Sequence, residues 1–525
     1  MNILRSNLVV AVPYIAKSGI SDGRSLRARR ETSDEVLGRR RITPPKAPSF
    51  SRNRSRKRSA AAYPPQVPIQ SRNNRMKTFV VSLIAILILA GETNASRGAT
   101  PPAGRLMAGT AKVEITPEPH TAVNIAGIPL EPRDSLYARV LVLRNGDTSV
   151  AIVSLDLIVF ASRKVVDEAK AKFGVDQVIL SATHTHAGMN PRGLLIKPPA
   201  QPDWTRLPRA PADVIDWPAL SADPWYAATE AKVVEAIGRA TKSMFLARIV
   251  SGKGTFESAY MAHNRRLVKN GLASPFWENP DRRPTSPIDP TIGVVRIEDL
   301  SGKPRALAVQ YACHPVATMG AGSVSRDFPG GMVDYVEEQL GPDCLALYLQ
   351  GAQGDLDPYD LHNLRGENRF NIPKQAGISL GKRALNISAD LKTKPESARA
   401  TIDVAESLLT IPNRNGSGTT DVGLLTVVVD KNLALTAIPG EPFIQHQLDL
   451  TQLSPLPNTF ILGVAYSGRG SPFVVYIPTE QAVREGGYGA TECSFLAADA
   501  GAKIVVESAK KIQELTKAES PEKKP

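Results

Sequence analysis

From about residue 106 onward, apolar residues fall into short β-rich runs separated by stretches with helical spacing. The runs Arg139 to Leu143, Val150 to Leu155, Gln177 to Ser181, Ala306 to Ala312, Cys344 to Gln350, Leu424 to Val429 and Leu433 to Ile438 predict strands. Helices are predicted over Ser162 to Lys172, Pro224 to Lys242, Gly331 to Leu340, Pro373 to Lys392 and Phe495 to Thr516. Pro224 and Pro373 are both read as first helical residues, because that position has no intrahelical partner for an N–H. Strands interleaved with helices predict the α/β class. Two Pro-rich stretches, 191–224 and Pro275 to Pro290, read as long loops that either shape a site or ornament the surface. The charged tail from Lys517, residues 517–525, has nothing to bury and is expected to be disordered.

Residues 1–75 lack any apolar period and are read as a disordered, basic leader. The segment MKTFVVSLIAILILAGETNAS that follows has the layout of a secretory signal peptide over 76–95. Met76 and Lys77 come first, then an apolar run from Phe79 to Ala90, then a small-residue end at Ala95. That run is shorter than the roughly 20 residues a spanning helix needs, so a cleaved signal is expected rather than an anchor, and a secreted or periplasmic product. A signal must open the chain to be read, which predicts that translation starts at Met76 and that the leader is an artefact of start-site choice. The alternative reading of the leader is an arm for nucleic acid or membrane.

The net charge of +13 is confined to that leader. Residues 1–75 carry 17 Lys and Arg against 4 Asp and Glu, leaving 47 of each sign in the rest of the chain. A neutral body gives no long-range field for nucleic acid, so no nucleic-acid partner is expected for the mature chain. With only Cys313, Cys344 and Cys493, and no CxxC pair, neither a disulfide framework nor a zinc finger is expected.

Candidate chemistry gathers where apolar runs stop. VILSATHTHAGMN takes a strand into His184 and His186, which as residues i and i+2 of an extended chain would point to one side. Such a pair could bind one metal, or could be hydrogen-bonded in a polar loop. ALAVQYACHPVATMG again ends a strand on a histidine, His314. Two such endings are what a site at the carboxyl edge of an α/β sheet would produce. LALTAIPGEPFIQ ends at Glu441, either a carboxylate completing a histidine-rich zinc site or an acid opening a helix.

In this order these segments resemble the catalytic domain of the neutral, non-lysosomal ceramidase family, zinc-dependent amidases that cleave the N-acyl bond of ceramide. AGTAKVEITP is similar to the family's opening, SATHTHAG to its HTHSG motif, CHPVATMG to its second histidine motif, PGEPF to its PGEF element and VVYIPTEQA to its YxTTxEE stretch. The match runs over about 106–515 and implies one large catalytic domain of layered mixed sheets with flanking helices. It further implies a Zn2+ ion held by His184, His314, Glu441 and Tyr476, with Tyr466 and Tyr488 as tyrosines the bare sequence does not distinguish from Tyr476. His186 is implied to contact the substrate or a ligand, and Arg265 in HNRRL resembles a family arginine that meets the acyl carbonyl. The implied activity is hydrolysis of an N-acyl amide, ceramide or a related lipid amide, by attack of metal-bound water. Peripheral contact with a membrane belongs to that expectation.

There are departures. GDLDPY stands where the family reads GDVSPN, so Asp357 holds the position of a catalytic serine. It could be a general base, a ligand to a second cation with Asp355, or a plain loop acid. Met189 replaces the proline of HTHSGP, and too few residues follow Tyr476 for the family's C-terminal immunoglobulin-like domain. The competing readings are a hydrolase of another amide, ester or phosphoester, and a secreted ligand-binding protein that keeps the metal for structure.

Overall fold

A computed structural model describes residues 104–118, 122–123, 129–190, 194, 217–256, 262–359 and 364–517. The leader, the signal segment and most of the Pro-rich stretch 191–224 lie outside these residues. In chain order the main elements are β1 (Leu106–Glu114), β2 (Tyr137–Asn145), β3 (Thr148–Leu155), α1 (Arg163–Phe173), β4 (Gln177–Ala182), α2 (Pro224–Lys242), β5 (Phe245–Thr255), β6 (Thr291–Asp299) and β7 (Pro304–Tyr311). Then come α3 (Asp327–Leu340), β8 (Leu345–Gln350), α4 (Asn368–Asp390), β9 (Ile402–Pro412), β10 (Thr419–Val429), β11 (Leu433–Ala437), α5 (Ile444–Leu453), β12 (Asn458–Leu462) and α6 (Ala500–Lys517).

Local chemistry sets the helix ends. Ser162 caps α1 by accepting the Val165 N–H at 3.1 Å, and Gly174 closes it in the left-handed region at φ 61°. Asp223 caps α2 through Tyr226 N at 2.9 Å, with Pro224 at the first position as expected. Pro373 does not open α4: the helix begins at Asn368 and carries the proline inside it.

Eight of these strands, with the short bridge Ala465–Tyr466, form one mixed sheet in the order β8-β7-β6-β5-β1-β2-β3-β4. A second sheet runs β9-β10-β11-β12. Alternation sorts the side chains of β2: Ala138, Val140 and Val142 pack with Val165 of α1 and Val233 and Ile237 of α2. Leu141 and Leu143 face the other way, into a core shared with Leu347 and Leu349 of β8 and with Val427, Leu435 and Leu462 of the smaller sheet. The large sheet is curled, so that Ser154 of β3 donates to the Tyr348 carbonyl of β8 at 2.6 Å and Gln350 reaches the Thr183 carbonyl at 3.3 Å. Helices α3 and α4 cover one outer face, and α5 and α6 cover the outside of the smaller sheet.

Five strands, β1, β5, β6, β9 and β12, go beyond those the apolar runs predict. In β5 and β6 the cause is glycine: a Cβ at Gly252, Gly254 or Gly293 would stand 2.4, 2.8 or 2.6 Å from Leu391, Ile387 or Phe460. These glycines let α4 and β12 lie close, and they dilute the apolar pattern. Helices α3 and α4 approach through the same device, since a Cβ at Gly377 would lie 2.0 Å from the Phe328 carbonyl. Gly377→Ala should therefore destabilise the domain by about 3 kcal/mol, read by urea unfolding; a change below about 0.5 kcal/mol would mean that the helix pair gives way freely.

Candidate active site

Three strand–helix–strand units run parallel here, β3-α1-β4, β7-α3-β8 and β11-α5-β12. The residues of interest leave their strands at carboxyl ends: His184 after β4, His314 after β7, Asp355 and Asp357 after β8, and Glu441 after β11. The curl of the large sheet brings the end of β4 against the ends of β7 and β8, and the Pro315 carbonyl accepts the His186 N–H at 3.0 Å, tying the two histidine loops together.

His184 does not continue an extended chain. It takes a left-handed φ of 68°, unusual for a residue with a side chain. The two imidazoles therefore meet through a turn and not through strand alternation, with His184 Nε2 and His186 Nε2 3.2 Å apart. Two main-chain contacts hold the strained residue: its N–H donates to the Leu157 carbonyl at 2.9 Å and its Nδ1 donates to the Ile158 carbonyl at 2.6 Å. His314 is fixed in the same way, its N–H and its Nδ1 both meeting the Leu356 carbonyl at 3.0 Å.

A carbonyl has no proton to give, so Nδ1 of both rings must carry one, and Nε2 of a neutral ring is then a bare lone pair. Glu441 Oε2 lies 3.0 Å from His314 Nε2 and 3.4 Å from His184 Nε2. Burial holds His314 and His186 below the usual imidazole range, with Arg265 adding to the effect on His314 and the neighbouring rings to that on His186. Burial alone would raise Glu441, but His184 and His314 outweigh it and keep the carboxyl well below its usual range. One nitrogen from each of His184, His186 and His314 lies within 4.8 Å of the others. A tetrahedron built on metal–ligand bonds of about 2.0–2.1 Å has edges of about 3.3 Å. The separations of 3.0, 3.2 and 3.4 Å match such an edge, so His184 stands with His186, His314 and Glu441 in a group that could hold a single divalent cation.

Tyr476 sits beside the cluster, paired with Glu441 in a short parallel bridge and with its ring centroid 6.3 Å from that of His314. Its ring meets that of Tyr488 edge-on at 5.7 Å and lies 5.3 Å under the Arg265 guanidinium, and burial next to Glu441 holds the phenol well above its usual range. Of the three tyrosines the sequence leaves open, Tyr466 packs away from the site against the α1 side of the core.

Arg265 is buried and donates to Asp357 Oδ1 at 3.0 Å and to the Gly354 carbonyl at 2.7 Å. Burial works against its charge, but Asp357 and the surrounding tyrosines together outweigh burial and hold the guanidinium well above its usual range. The rings of Trp277, Tyr476 and Tyr488 surround it at 5.3, 5.3 and 5.1 Å. Trp277 belongs to the second Pro-rich loop, which therefore shapes the site. Tyr488 and Trp277 carry no motif that would single them out in sequence.

Asp355 and Asp357 do not face a common point. Asp355 accepts Asn264 Nδ2 at 2.7 Å and the Ile444 N–H at 2.8 Å, so it is Asp355, from a distant loop, that caps α5. This leaves Glu441 free of the helix-opening duty that its place before α5 suggests. Asp357 is spent on Arg265 and lies 3.6 Å from His314 Nδ1.

No family model matches the chain, and no curated protein matches its sequence. Solved structures do. Neutral ceramidase from Pseudomonas aeruginosa superposes with a TM-score of 0.60 at 14% identity, over 80% of this chain and 76% of that one. A ceramidase complexed with C2 gives 0.59 at 14% identity, over 80% and 77%. Among the described residues no helix is long and apolar enough to cross a membrane. The layered α/β domain that carries the histidine–glutamate cluster has the neutral ceramidase fold.

Proposed function

We propose that this protein is a zinc-dependent hydrolase of N-acyl amides, acting on ceramide or a related lipid amide. One observation carries the reading: ring nitrogens of His184, His186 and His314 and the Glu441 carboxylate gather at one point, with separations of 3.0, 3.2 and 3.4 Å between neighbours, while main-chain carbonyls hold the Nδ1 protons of His184 and His314 out of the way. The fold shared with ceramidase structures supports the substrate class. His184, His314, Glu441 and Tyr476 would hold the ion, with His186 beside them. A zinc ion so held supplies Lewis acidity and lowers the pKa of a bound water to about 7.

The chain's own residues do the rest. Arg265 presents a fixed positive charge toward which an amide oxygen can turn as it gains negative charge. Asp357 acts as a positioning residue: its salt bridge through Oδ1 sets the guanidinium. His186, the least buried of the three rings, is placed to pass a proton to the departing amine.

The test is metal content by mass spectrometry of the purified protein, beside His184→Ala and His314→Ala. About one zinc per chain is expected, lost in both variants while far-UV circular dichroism is unchanged. Folded wild-type protein that takes up no metal from zinc-containing buffer would overturn the proposal.

A further inference from the structure

Directly after Arg265 the chain forms a hairpin, Arg266–Lys269 paired with Leu272–Pro275. One side is fastened to the protein. Arg266 donates to the carbonyls of Gly486 and Ala482 at 2.9 and 3.2 Å and pairs with Glu485, and the Ala273 carbonyl leaves no more than 3.1 Å for a Cβ at Gly487. Cross-strand partners share a face, so Leu267, Lys269, Leu272 and Ser274 form the opposite side. That side projects: Leu272 is 69% exposed and Leu267 47%, while Val268, 45% exposed, lies on the fastened face with Ala273. The other exposed large apolar side chains among the described residues are scattered singly over separate elements.

Two leucines exposed on the same face of one hairpin have a cause more often than leucines exposed singly. The hairpin's charge points to the partner. From His263 to Trp277 the sequence HNRRLVKNGLASPFW contains no Asp or Glu, and Lys269 stands across from Leu272 at the tip. Apolar side chains beside an uncompensated lysine suit the boundary between anionic headgroups and acyl chains, where apolar burial and charge attraction add. The root of the hairpin lines a hollow with Arg265, Arg266 and Tyr488, so whatever the tip enters lies next to the candidate site.

We propose that this hairpin seats the protein on an anionic lipid surface, with Leu267 and Leu272 entering the acyl boundary and Lys269 meeting headgroup phosphates. The proposal rests on the lipid-amide reading above, and its test separates the two.

Leu272→Cys in a Cys493→Ser background, labelled with an environment-sensitive dye, is mixed as the full chain with phosphatidylcholine–phosphatidylglycerol vesicles. A blue shift and quenching by lipid-borne nitroxide are expected at residue 272, and neither at Val506→Cys, an exposed control on α6. Because the dye reports the tip itself, binding through the basic leader does not mimic the result. No change at 272 while the protein co-sediments, or equal changes at both positions, would overturn the proposal. The unlabelled variant Leu267→Asn/Leu272→Asn should lose about tenfold or more in hydrolysis of a lipid amide embedded in vesicles, and nothing on a soluble short-chain amide. Equal losses on both substrates would also overturn it. Insertion of the tip by a protein that hydrolyses neither amide would uphold the hairpin and sink the hydrolase.

Discussion

Glu441→Gln should give a protein that binds zinc at least a hundredfold more weakly and hydrolyses amides about a thousandfold more slowly. The loss follows from removing the carboxylate charge that faces His314 Nε2 at 3.0 Å and His184 Nε2 at 3.4 Å. Differential scanning calorimetry with and without zinc reads the binding side of the effect, since added zinc should raise the melting temperature of the wild type more than that of the variant. Equal zinc-dependent shifts in the two proteins would show that Glu441 is not a ligand.

Arg265→Met should cost about 3–5 kcal/mol of stability, because it leaves Asp357 ionised and buried without its partner. Methionine can occupy the space between Trp277, Tyr476 and Tyr488, so the loss is expected to come from charge more than from a void. The double variant Arg265→Met/Asp357→Leu should recover to within about 2 kcal/mol of wild type, a large coupling between the two sites. Urea unfolding of the four proteins measures it. Simple additivity of the two single losses would show that the pair is held by the surrounding backbone rather than by each other.

The strands that the sequence announces are those buried on both faces, such as Val150 to Leu155 and Cys344 to Gln350, where apolar residues follow one another without a break. Those it conceals have one exposed face, as in Ile402–Pro412, or glycines that admit a neighbour's side chain, as in Phe245–Thr255. Pro373 misleads because a helix interior can carry a proline when the preceding turn is only the first of many. The histidines are legible because each ends an apolar strand, a purely local signal. Glu441 is half legible: its place before a helix suggests a capping acid, and only the fold reveals that Asp355 already caps that helix. Tyr476 is legible only through the resemblance of VVYIPTEQA to a family stretch, and Tyr488 and Trp277 are illegible in sequence, since they become parts of a site only when Arg265 is brought among them. His184 shows that a correct guess about two rings meeting can rest on the wrong backbone geometry, extended where the chain in fact turns.

In the proposed site the donor set is drawn from chain segments between His184 and Tyr476, and the strand of Glu441 lies in a different sheet from those preceding His184 and His314. On a ribosome adding roughly 5–20 residues each second, the first pair of imidazoles is made about 15–60 s before the tyrosine that completes the set. Over that interval the nascent chain holds only isolated histidines, which bind cations weakly and without preference. Selectivity for one ion arises with the last strands, so the finished fold, and not the emerging peptide, decides which metal is taken from the surroundings.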